Sequence, residues 1–194
     1  PASPSDARQL LSAACDEWSS ITASLRDLAP QLERAATLMH DCWSAGGKLL
    51  ICGNGGSCAD AMHFAEELVA RFQHQRRGLA AVALADPTVL TCIGNDFGYD
   101  ALFSRQVEAL GRPGDLLVLL TTSGNSGNCV QALAAGDAIG MKSLAFLGKT
   151  GGELRGECDV ELHVKADTAH RVQEAHKLLF HTLCEWADRQ YADA

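Results

Sequence analysis

Long apolar runs are missing from this sequence. The two longest cover residues 79–85 and 116–120, far short of the roughly 20 residues that a membrane-spanning helix needs. Residues 1–10 also lack the basic and apolar segments of a secretory signal. We therefore expect a soluble, cytoplasmic protein with no membrane partner.

Positive charge is scarce as well. Sixteen lysines and arginines stand against 24 aspartates and glutamates, which gives a formal net charge of −8 at pH 7. The electrostatic field of a negative net charge repels nucleic acids and anionic lipids, so we expect no nucleic-acid partner.

The length and hydrophobic content of the chain indicate one domain. The chain has 194 residues, 47% of them hydrophobic, which is enough for one sizeable core. We predict a single domain over residues 1–194.

Paired cysteine motifs are absent too. The eight cysteines are scattered and no two form a C-x-x-C motif, so neither a disulfide framework nor a zinc-thiolate site is indicated. Most lie beside apolar residues, as Cys52 does after Leu-Leu-Ile. We expect reduced, buried thiols that act as small core residues.

The hydrophobic pattern divides the chain into three parts. In residues 1–46 we predict a helical hairpin, with one helix over 5–28 and a second that Pro30 opens and Gly46-Gly47 closes. In residues 47–167, short runs that are apolar throughout alternate with helical segments, which indicates a parallel sheet covered on both faces. Residues 168–194 contain a long terminal helix, about 168–191. The predicted fold is therefore an α/β three-layer α/β/α sandwich, with strands at 49–52, 79–84, 116–121, 143–147 and 160–164.

Two strand-to-helix junctions are rich in glycine and hydroxyl groups. They are Cys52-Gly-Asn-Gly-Gly-Ser57, which opens a helix carrying residues 59–72, and Thr121-Thr-Ser-Gly-Asn-Ser126, before a helix that starts near Gly127. Ligands of parallel α/β sheets bind at such junctions, where glycyl N–H groups, hydroxyls and helix N-termini can hold a phosphate without lysine or arginine. The first junction lacks the third glycine of a dinucleotide loop and the Lys-Ser/Thr pair of a Walker loop. Each could be only a well-capped turn, but the two together favour a phosphorylated small molecule.

The two junctions and the segments around them contain five distinctive motifs. They are Gly53-Asn-Gly-Gly-Ser57, His63-Phe-Ala-Glu-Glu67-Leu, Ile93-Gly-Asn-Asp-Phe-Gly98, Thr122-Ser-Gly-Asn-Ser126 and Arg171-Val-Gln-Glu-Ala-His176. Together they resemble the motifs of the phosphoheptose isomerase family of the sugar isomerase (SIS) superfamily. The resemblance extends over essentially the whole chain, and the second and fifth motifs narrow it from SIS domains in general to this family. It implies an aldose–ketose isomerase that interconverts sedoheptulose 7-phosphate and D-glycero-D-manno-heptose 7-phosphate, the first step of nucleotide-activated heptose biosynthesis for lipopolysaccharide.

Candidate acid–base residues lie on two of the predicted helices. His63 and Glu67 are four residues apart and share a helix face, and Gln173 and His181 can share a broad face of the terminal helix. Moving a proton between C1 and C2 through an enediol requires a base beside the carbon and an acid beside the oxygens. The resemblance makes Glu67 the base that takes the C2 proton and His181 its acid–base partner. On their own, His63 and Glu67 could be a helix-stabilising pair, and His181 a core histidine.

The resemblance also implies a bound zinc ion, with His63, Glu67, Gln173 and His181 as its ligands. Zn²⁺ would act as a Lewis acid on the carbonyl. The base and ligand roles of Glu67 compete, since a metal-bound carboxylate is a weaker base, and both stay open.

The remaining positions implied by the resemblance surround the substrate. The sugar would meet Asn54, Gly55, Gly56, Asn95 and Asp96, and the phosphate would meet Ser57, Thr121, Thr122, Ser123 and Ser126, with Glu67 and Gln173 also in contact with the substrate. Asp60 and Arg71 could orient the site or form surface ion pairs. We expect His176 to be structural, and the role of Cys58 stays open.

The resemblance implies a homotetramer in which helices of neighbouring subunits complete each site. Two alternatives are a non-catalytic SIS relative that binds a replication initiator protein and an SIS isomerase or deaminase for another sugar phosphate. The presence of both Glu67 and His181 favours the enzyme over the first. The motifs that flank the two junctions count against the second.

Overall fold

A five-stranded parallel sheet organises the chain in the computed structural model, which describes residues 5–192. Residues 1–4 and 193–194, which the predicted terminal segments include, lie outside the described residues. The strand order is β2-β1-β3-β4-β5, and each neighbouring pair is parallel. The strands are β1 (Leu49–Gly53), β2 (Ala81–Ala83), β3 (Leu116–Thr121), β4 (Lys142–Leu147) and β5 (Val160–His163).

Helices cover both faces of the sheet, as the apolar strands predict. The helices are α1 (Asp6–Leu25), α2 (Ala29–Ser44), α3 (Gly56–Val69), α4 (Pro87–Asp96), α5 (Ser104–Leu110), α6 (Gly127–Ile139) and α7 (Ala169–Tyr191). Alternate residues of β1 enter two separate cores: Leu49 and Ile51 pack with α1, α2, α3 and α7, whereas Leu50 and Cys52 pack with α4, α5 and α6. The predicted three-layer α/β/α sandwich is confirmed.

The bounds of β2 and α3 differ from the sequence prediction by up to three residues, and the first helix, predicted over 5–28, ends as α1 at Leu25. The strand predicted at 79–84 is only Ala81–Ala83, because β2 is an edge strand that pairs with β1 alone. The helix predicted to carry residues 59–72 begins at Gly56 and ends at Val69. Phe72 therefore lies in a loop over residues 70–80, which we call the α3–β2 loop.

The predicted pair of N-terminal helices is present. A single 3₁₀ turn, Arg26–Leu28, joins α1 to α2. Of the 20 residues of α1, Ile21 and Leu25 are buried, whereas Leu10 and Leu11 are 68% and 66% exposed. Among residues 5–192, no helix has the length and apolar character needed to cross a bilayer.

All eight cysteines are free thiols, as expected, but they are not all buried. Burial raises the pKa of the Cys42 thiol to about 11 and that of the Cys158 thiol to about 12, with neighbouring carboxylates acting in the same direction. In contrast, Cys15 on α1 and Cys92 on α4 are exposed.

Candidate active site

The first predicted phosphate loop joins β1 to α3 at the carboxyl edge of the sheet. A Cβ at Gly53 would lie 2.7 Å from the carbonyl oxygen of Leu120, so only glycine lets the loop leave β1 this close to β3. Gly55 has a φ of +56°, a conformation that glycine adopts without strain. Gly55 and Gly56 are exposed, and Ser57 is buried in the first turn of α3.

The second predicted phosphate loop, between β3 and α6, is held by its own hydroxyl groups. Thr121 Oγ1 accepts the Gly124 N–H at 3.1 Å, and Ser123 Oγ accepts the Asn125 N–H at 3.2 Å. Ser126 is the N-cap residue of α6, and its side chain makes no capping bond. Roles for Thr121, Thr122, Ser123 and Ser126 in phosphate binding stay predictions.

The backbone segment that follows β4 packs against the second loop. Gly124 has a φ of +69°, and a Cβ there would lie 1.7 Å from the Gly151 carbonyl oxygen. Asn125 Oδ1 also accepts the Glu153 N–H at 3.0 Å. The segment after β4 therefore sets the position of the loop, a contact that the sequence analysis did not anticipate.

A pair of amide side chains links the two loops. Asn54 Nδ2 donates to Asn128 Oδ1 at 2.8 Å, and Asn128 Nδ2 donates to Asn54 Oδ1 at 2.9 Å. The Tyr99 hydroxyl donates to the same Asn54 oxygen at 2.9 Å. Asn54, predicted to contact the sugar, thus bonds with Asn128 and Tyr99, which sequence reasoning missed. The only sequence indication of the role of Asn128 is its position two residues after Ser126, the last residue of the Thr-Ser-Gly-Asn-Ser motif.

Three side-chain pairs join the facing surfaces of α3 and α7. They occur in the same order along both helices, so the helices run side by side in the same direction. The pairs are Ser57 with Gln173 (Oγ to Nε2, 3.5 Å), Asp60 with Lys177 (Oδ1 to Nζ, 3.1 Å) and His63 with His181 (Nε2 to Nε2, 3.5 Å).

The last of these pairs lies beside Glu67. Glu67 Oε1 is 3.2 Å from His63 Nε2, and one ligand atom from each of His63, Glu67 and His181 lies within 4.8 Å of the others. Two imidazoles and a carboxylate that converge in this way are a donor set suited to a divalent ion with one open position. The structure therefore brings together three of the four predicted ligands.

Gln173, the fourth predicted ligand, lies at the other end of the α3–α7 contact. Its amide sits against Gly56, where a Cβ would approach Nε2 to 2.7 Å. Eight residues separate it from His181 on α7, about 12 Å along a helix axis. Its roles as a metal ligand and as a substrate contact stay predictions.

The surroundings of His181 favour its neutral form. Burial lowers the pKa of His181, repulsion from a protonated His63 and from Lys177 lowers it further, and Asp60 acts in the opposite direction. The ring of Phe72, from the α3–β2 loop, lies 5.5 Å from the His181 ring. A neutral imidazole can accept a proton or bind a metal ion.

Asn95 and Asp96 lie at the exposed C-terminal end of α4. Asn95 Nδ2 donates to Asp96 Oδ1 at 2.7 Å, and Asp96 Oδ2 accepts from the Cys92 thiol at 3.7 Å. The preceding residue, Gly94, lines a cavity of about 280 Å³ that Asn54, Gly55 and Cys58 border on the other side. Asn95 and Asp96 therefore come directly after a residue that lines the cavity beside the first loop. Their contact with substrate stays a prediction.

His176 is not part of this arrangement. It is fully buried, and its Nε2 donates to the Leu147 carbonyl oxygen at 3.1 Å. Its ring packs edge-on against Phe146 at 5.7 Å. These contacts are those of a core side chain.

Comparisons with known proteins agree with the fold and with the motifs. The SIS domain family model matches residues 15–148. Phosphoheptose isomerases of Pectobacterium atrosepticum and Vibrio cholerae are each 49% identical over 163 residues, 84% of this chain, and the match covers 84% and 85% of those proteins. Among solved structures, a phosphoheptose isomerase from Neisseria gonorrhoeae has a TM-score of 0.88 at 41% identity, and one from Francisella tularensis a TM-score of 0.90 at 34% identity. Each of these two matches covers 94% of this chain and 98% of the other.

Proposed function

Because the chain belongs to the phosphoheptose isomerase family of SIS-domain proteins and is a sugar-phosphate isomerase, we propose that its substrate is sedoheptulose 7-phosphate. The product is D-glycero-D-manno-heptose 7-phosphate, formed through an enediol. The convergence of Glu67, His63 and His181 carries the proposal, because a carboxylate and two imidazoles at one point can supply a base and a second proton carrier.

The separation between the loops and this cluster suits a long substrate. Ser57 and His63 are six residues apart on α3, about 9 Å along the axis. A seven-carbon sugar has its phosphate at one end and its reacting C1 and C2 at the other. The phosphate would lie at the two loops and N-termini of α3 and α6, while C1 and C2 would reach Glu67 and His181.

In the proposed mechanism, Glu67 moves the proton between carbons. Its carboxylate takes a proton from C1 of the ketose, which forms the enediol, and returns it to C2 to give the aldose. In the reverse direction it takes the C2 proton of the aldose, as the resemblance implies. His181 moves the second proton between O1 and O2, so that no charge remains on either oxygen. A positioned acid or base contributes on the order of 10²- to 10⁴-fold to the rate.

We also propose that His63, Glu67 and His181 hold a zinc ion. When bound, the ion would supply Lewis-acid polarisation of the carbonyl and enediol oxygens. Glu67 would then have to act as base and as metal ligand with one carboxylate. Its Oε1 lies 3.2 Å from His63 Nε2, on the side of the proposed ion. Metal analysis of the purified protein and of His63→Ala tests this. Wild type that contains no zinc, with turnover that neither a chelator nor added zinc changes, would contradict it.

We further propose a homotetramer with sites at subunit interfaces. The support is α1, which leaves Leu10 and Leu11 largely exposed in the single chain. Exposed apolar side chains on a helix that buries little of itself are typical of a surface covered by another copy.

The experiment that tests the function is turnover of sedoheptulose 7-phosphate by the purified protein, followed by NMR. We expect the aldose product to appear and hexose phosphates to react far more slowly. No product from the heptulose would overturn the proposal. Turnover of a hexose phosphate alone would support the alternative isomerase.

A further inference from the structure

A fully buried ion pair lies beneath the proposed acid–base residues. Arg76 Nε is 2.6 Å from Asp188 Oδ1, and neither side chain has exposed surface. Asp188 lies on α7 and Arg76 in the α3–β2 loop. A buried ion pair is often no more stabilising than apolar side chains of similar volume. Stability alone therefore does not account for this pair, and the groups that it holds in place can.

The guanidinium of Arg76 caps the C-terminal end of α3. One of its terminal nitrogens donates to the Glu67 carbonyl oxygen at 2.8 Å, and the other donates to the Leu68 carbonyl oxygen at 2.8 Å. The last carbonyls of a helix have no partner within the helix. Arg76 therefore fixes the turn of α3 from which the Glu67 side chain projects.

The carboxylate of Asp188 holds the loop that contacts His181. Asp188 Oδ2 accepts the Gln73 N–H at 2.5 Å and the His74 N–H at 2.7 Å. Phe72, directly before Gln73, places its ring 5.5 Å from the His181 ring. The backbone bonds to Asp188 thus set the position of the Phe72 ring beside His181.

We propose that Arg76 and Asp188 are positioning residues of the isomerase site. Neither touches the substrate; together they hold Glu67 and the contact between Phe72 and His181 in one geometry. The inference rests on the proposed roles of Glu67 and His181. Displacement of a reacting group by about 1 Å can lower a rate by about 100-fold, so loss of the clamp should lower turnover even in a chain that still folds.

The test replaces both members of the pair with apolar residues. The double variant Arg76→Met with Asp188→Leu leaves no unpaired buried charge. We expect it to fold, to keep KM for sedoheptulose 7-phosphate within about twofold, and to lose roughly 10- to 100-fold in kcat. Amide hydrogen exchange in residues 70–78 should be faster. Unchanged kcat in the folded double variant would overturn the inference.

A second variant keeps the inference testable if the double variant does not fold. Arg76→Lys retains the positive charge beside Asp188 but cannot reach both helix carbonyls with a fork of nitrogens. We expect a lower kcat with unchanged KM, and wild-type kcat would contradict the proposed clamp. Lys48→Met is the matched control, since Lys48 pairs with buried Asp115 at 2.5 Å and lies directly before β1, at its amino end. It should lower stability and leave kcat per folded molecule unchanged.

The wild-type assay separates this inference from the proposed function. If wild type does not turn over sedoheptulose 7-phosphate, the proposed function fails and the inference fails with it. If wild type is active and both variants retain its kcat, the positioning role alone is wrong.

Discussion

Three of the four histidines on α3 and α7 have surroundings that give them different chemistry. His63 and His181 meet at a partly exposed contact and face Glu67. His176, five residues before His181, is fully buried, and its Nδ1 has no hydrogen-bond partner among the described residues. The same residue type therefore serves the proposed chemistry at two positions and packing at the third.

His176 should make stability depend on pH. Burial lowers its pKa from 6.5 to about 4 in the folded chain. Between these values the unfolded chain binds a proton that the folded chain does not, so the free energy of unfolding decreases as pH falls through this window, by about 2–3 kcal/mol at pH 4.5.

Urea unfolding of wild type and His176→Gln at pH 7.5 and 4.5 checks this prediction. Glutamine keeps a donor for the Leu147 carbonyl but does not titrate, so the variant should lose less stability on acidification. An equal loss in both proteins would show that His176 is not the cause.

Glu67→Gln tests the proposed base directly. The amide keeps the shape of the side chain but cannot take a proton, so turnover should fall by on the order of 10²- to 10⁴-fold while the substrate still binds. NMR turnover and calorimetric titration with sedoheptulose 7-phosphate measure the two effects. The matched control is Glu66→Gln, whose carboxylate is exposed beside the same histidine, and it should stay near wild-type activity. Undiminished turnover in Glu67→Gln would contradict the base assignment.

At the scale of elements, the second predicted phosphate loop depends on a backbone contact that excludes a side chain. Alanine at Gly124 would combine a positive φ with a contact of 1.7 Å to Gly151, whereas alanine at Gly140 would have a φ of +85° and no such contact within 4 Å in the described chain. The strain of a left-handed residue costs about 1–2 kcal/mol.

Gly140→Ala should lose about this much stability, and Gly124→Ala should lose clearly more, because its loop must also separate from Gly151. Urea unfolding of the two variants measures the difference. Equal losses would mean that the loop accommodates the methyl group without strain.

Elements that are buried along their whole length were the most predictable from sequence. The boundaries predicted for β1 and β3 agree with the structure within one residue, because both strands are apolar and buried throughout. The end of α3 was missed because the group that caps it, Arg76, comes eight residues after Leu68. Its partner Asp188 is 112 residues away in the chain, and no local pattern connects residues so far apart.

The candidate site was predictable to a similar degree. The motifs contain His63 and Glu67, and the family resemblance added His181, five residues after the last motif; the structure brings the three together. They did not indicate that Asn54 bonds with Asn128, 74 residues further on, because that contact depends on how β1 and β3 pair. Residue types and spacing reveal candidate chemistry, whereas the arrangement of helices decides which candidates meet.

At the scale of the whole molecule, the net charge of −8 does not oppose a phosphosugar. Hydroxyl groups, backbone N–H groups and helix N-termini bind an anion locally. The proposed phosphate position uses these groups, so an acidic balance that predicts no nucleic-acid partner is still compatible with a phosphate monoester.

The proposed interface sites can be tested by mixing two inactive variants. Ser126→Asp should repel the phosphate, and His181→Gln should remove the second proton carrier. If each site takes these groups from two chains, mixed assemblies contain some sites with both groups intact and regain activity. Sizing of the wild type should show a tetramer. A mixture that stays inactive after subunit exchange would place each site within one chain.

Because the eight thiols differ in exposure, the chain can be labelled selectively with a thiol-reactive dye without any substitution. Cys15 and Cys92 are open to solvent, whereas burial suppresses the thiolate form of Cys42 and Cys158. A maleimide dye should therefore attach at only a few defined points. A dye at Cys15 would report whether copies of the chain associate through α1, as proposed, and one at Cys92 would report whether a sugar contacts Asp96, as predicted.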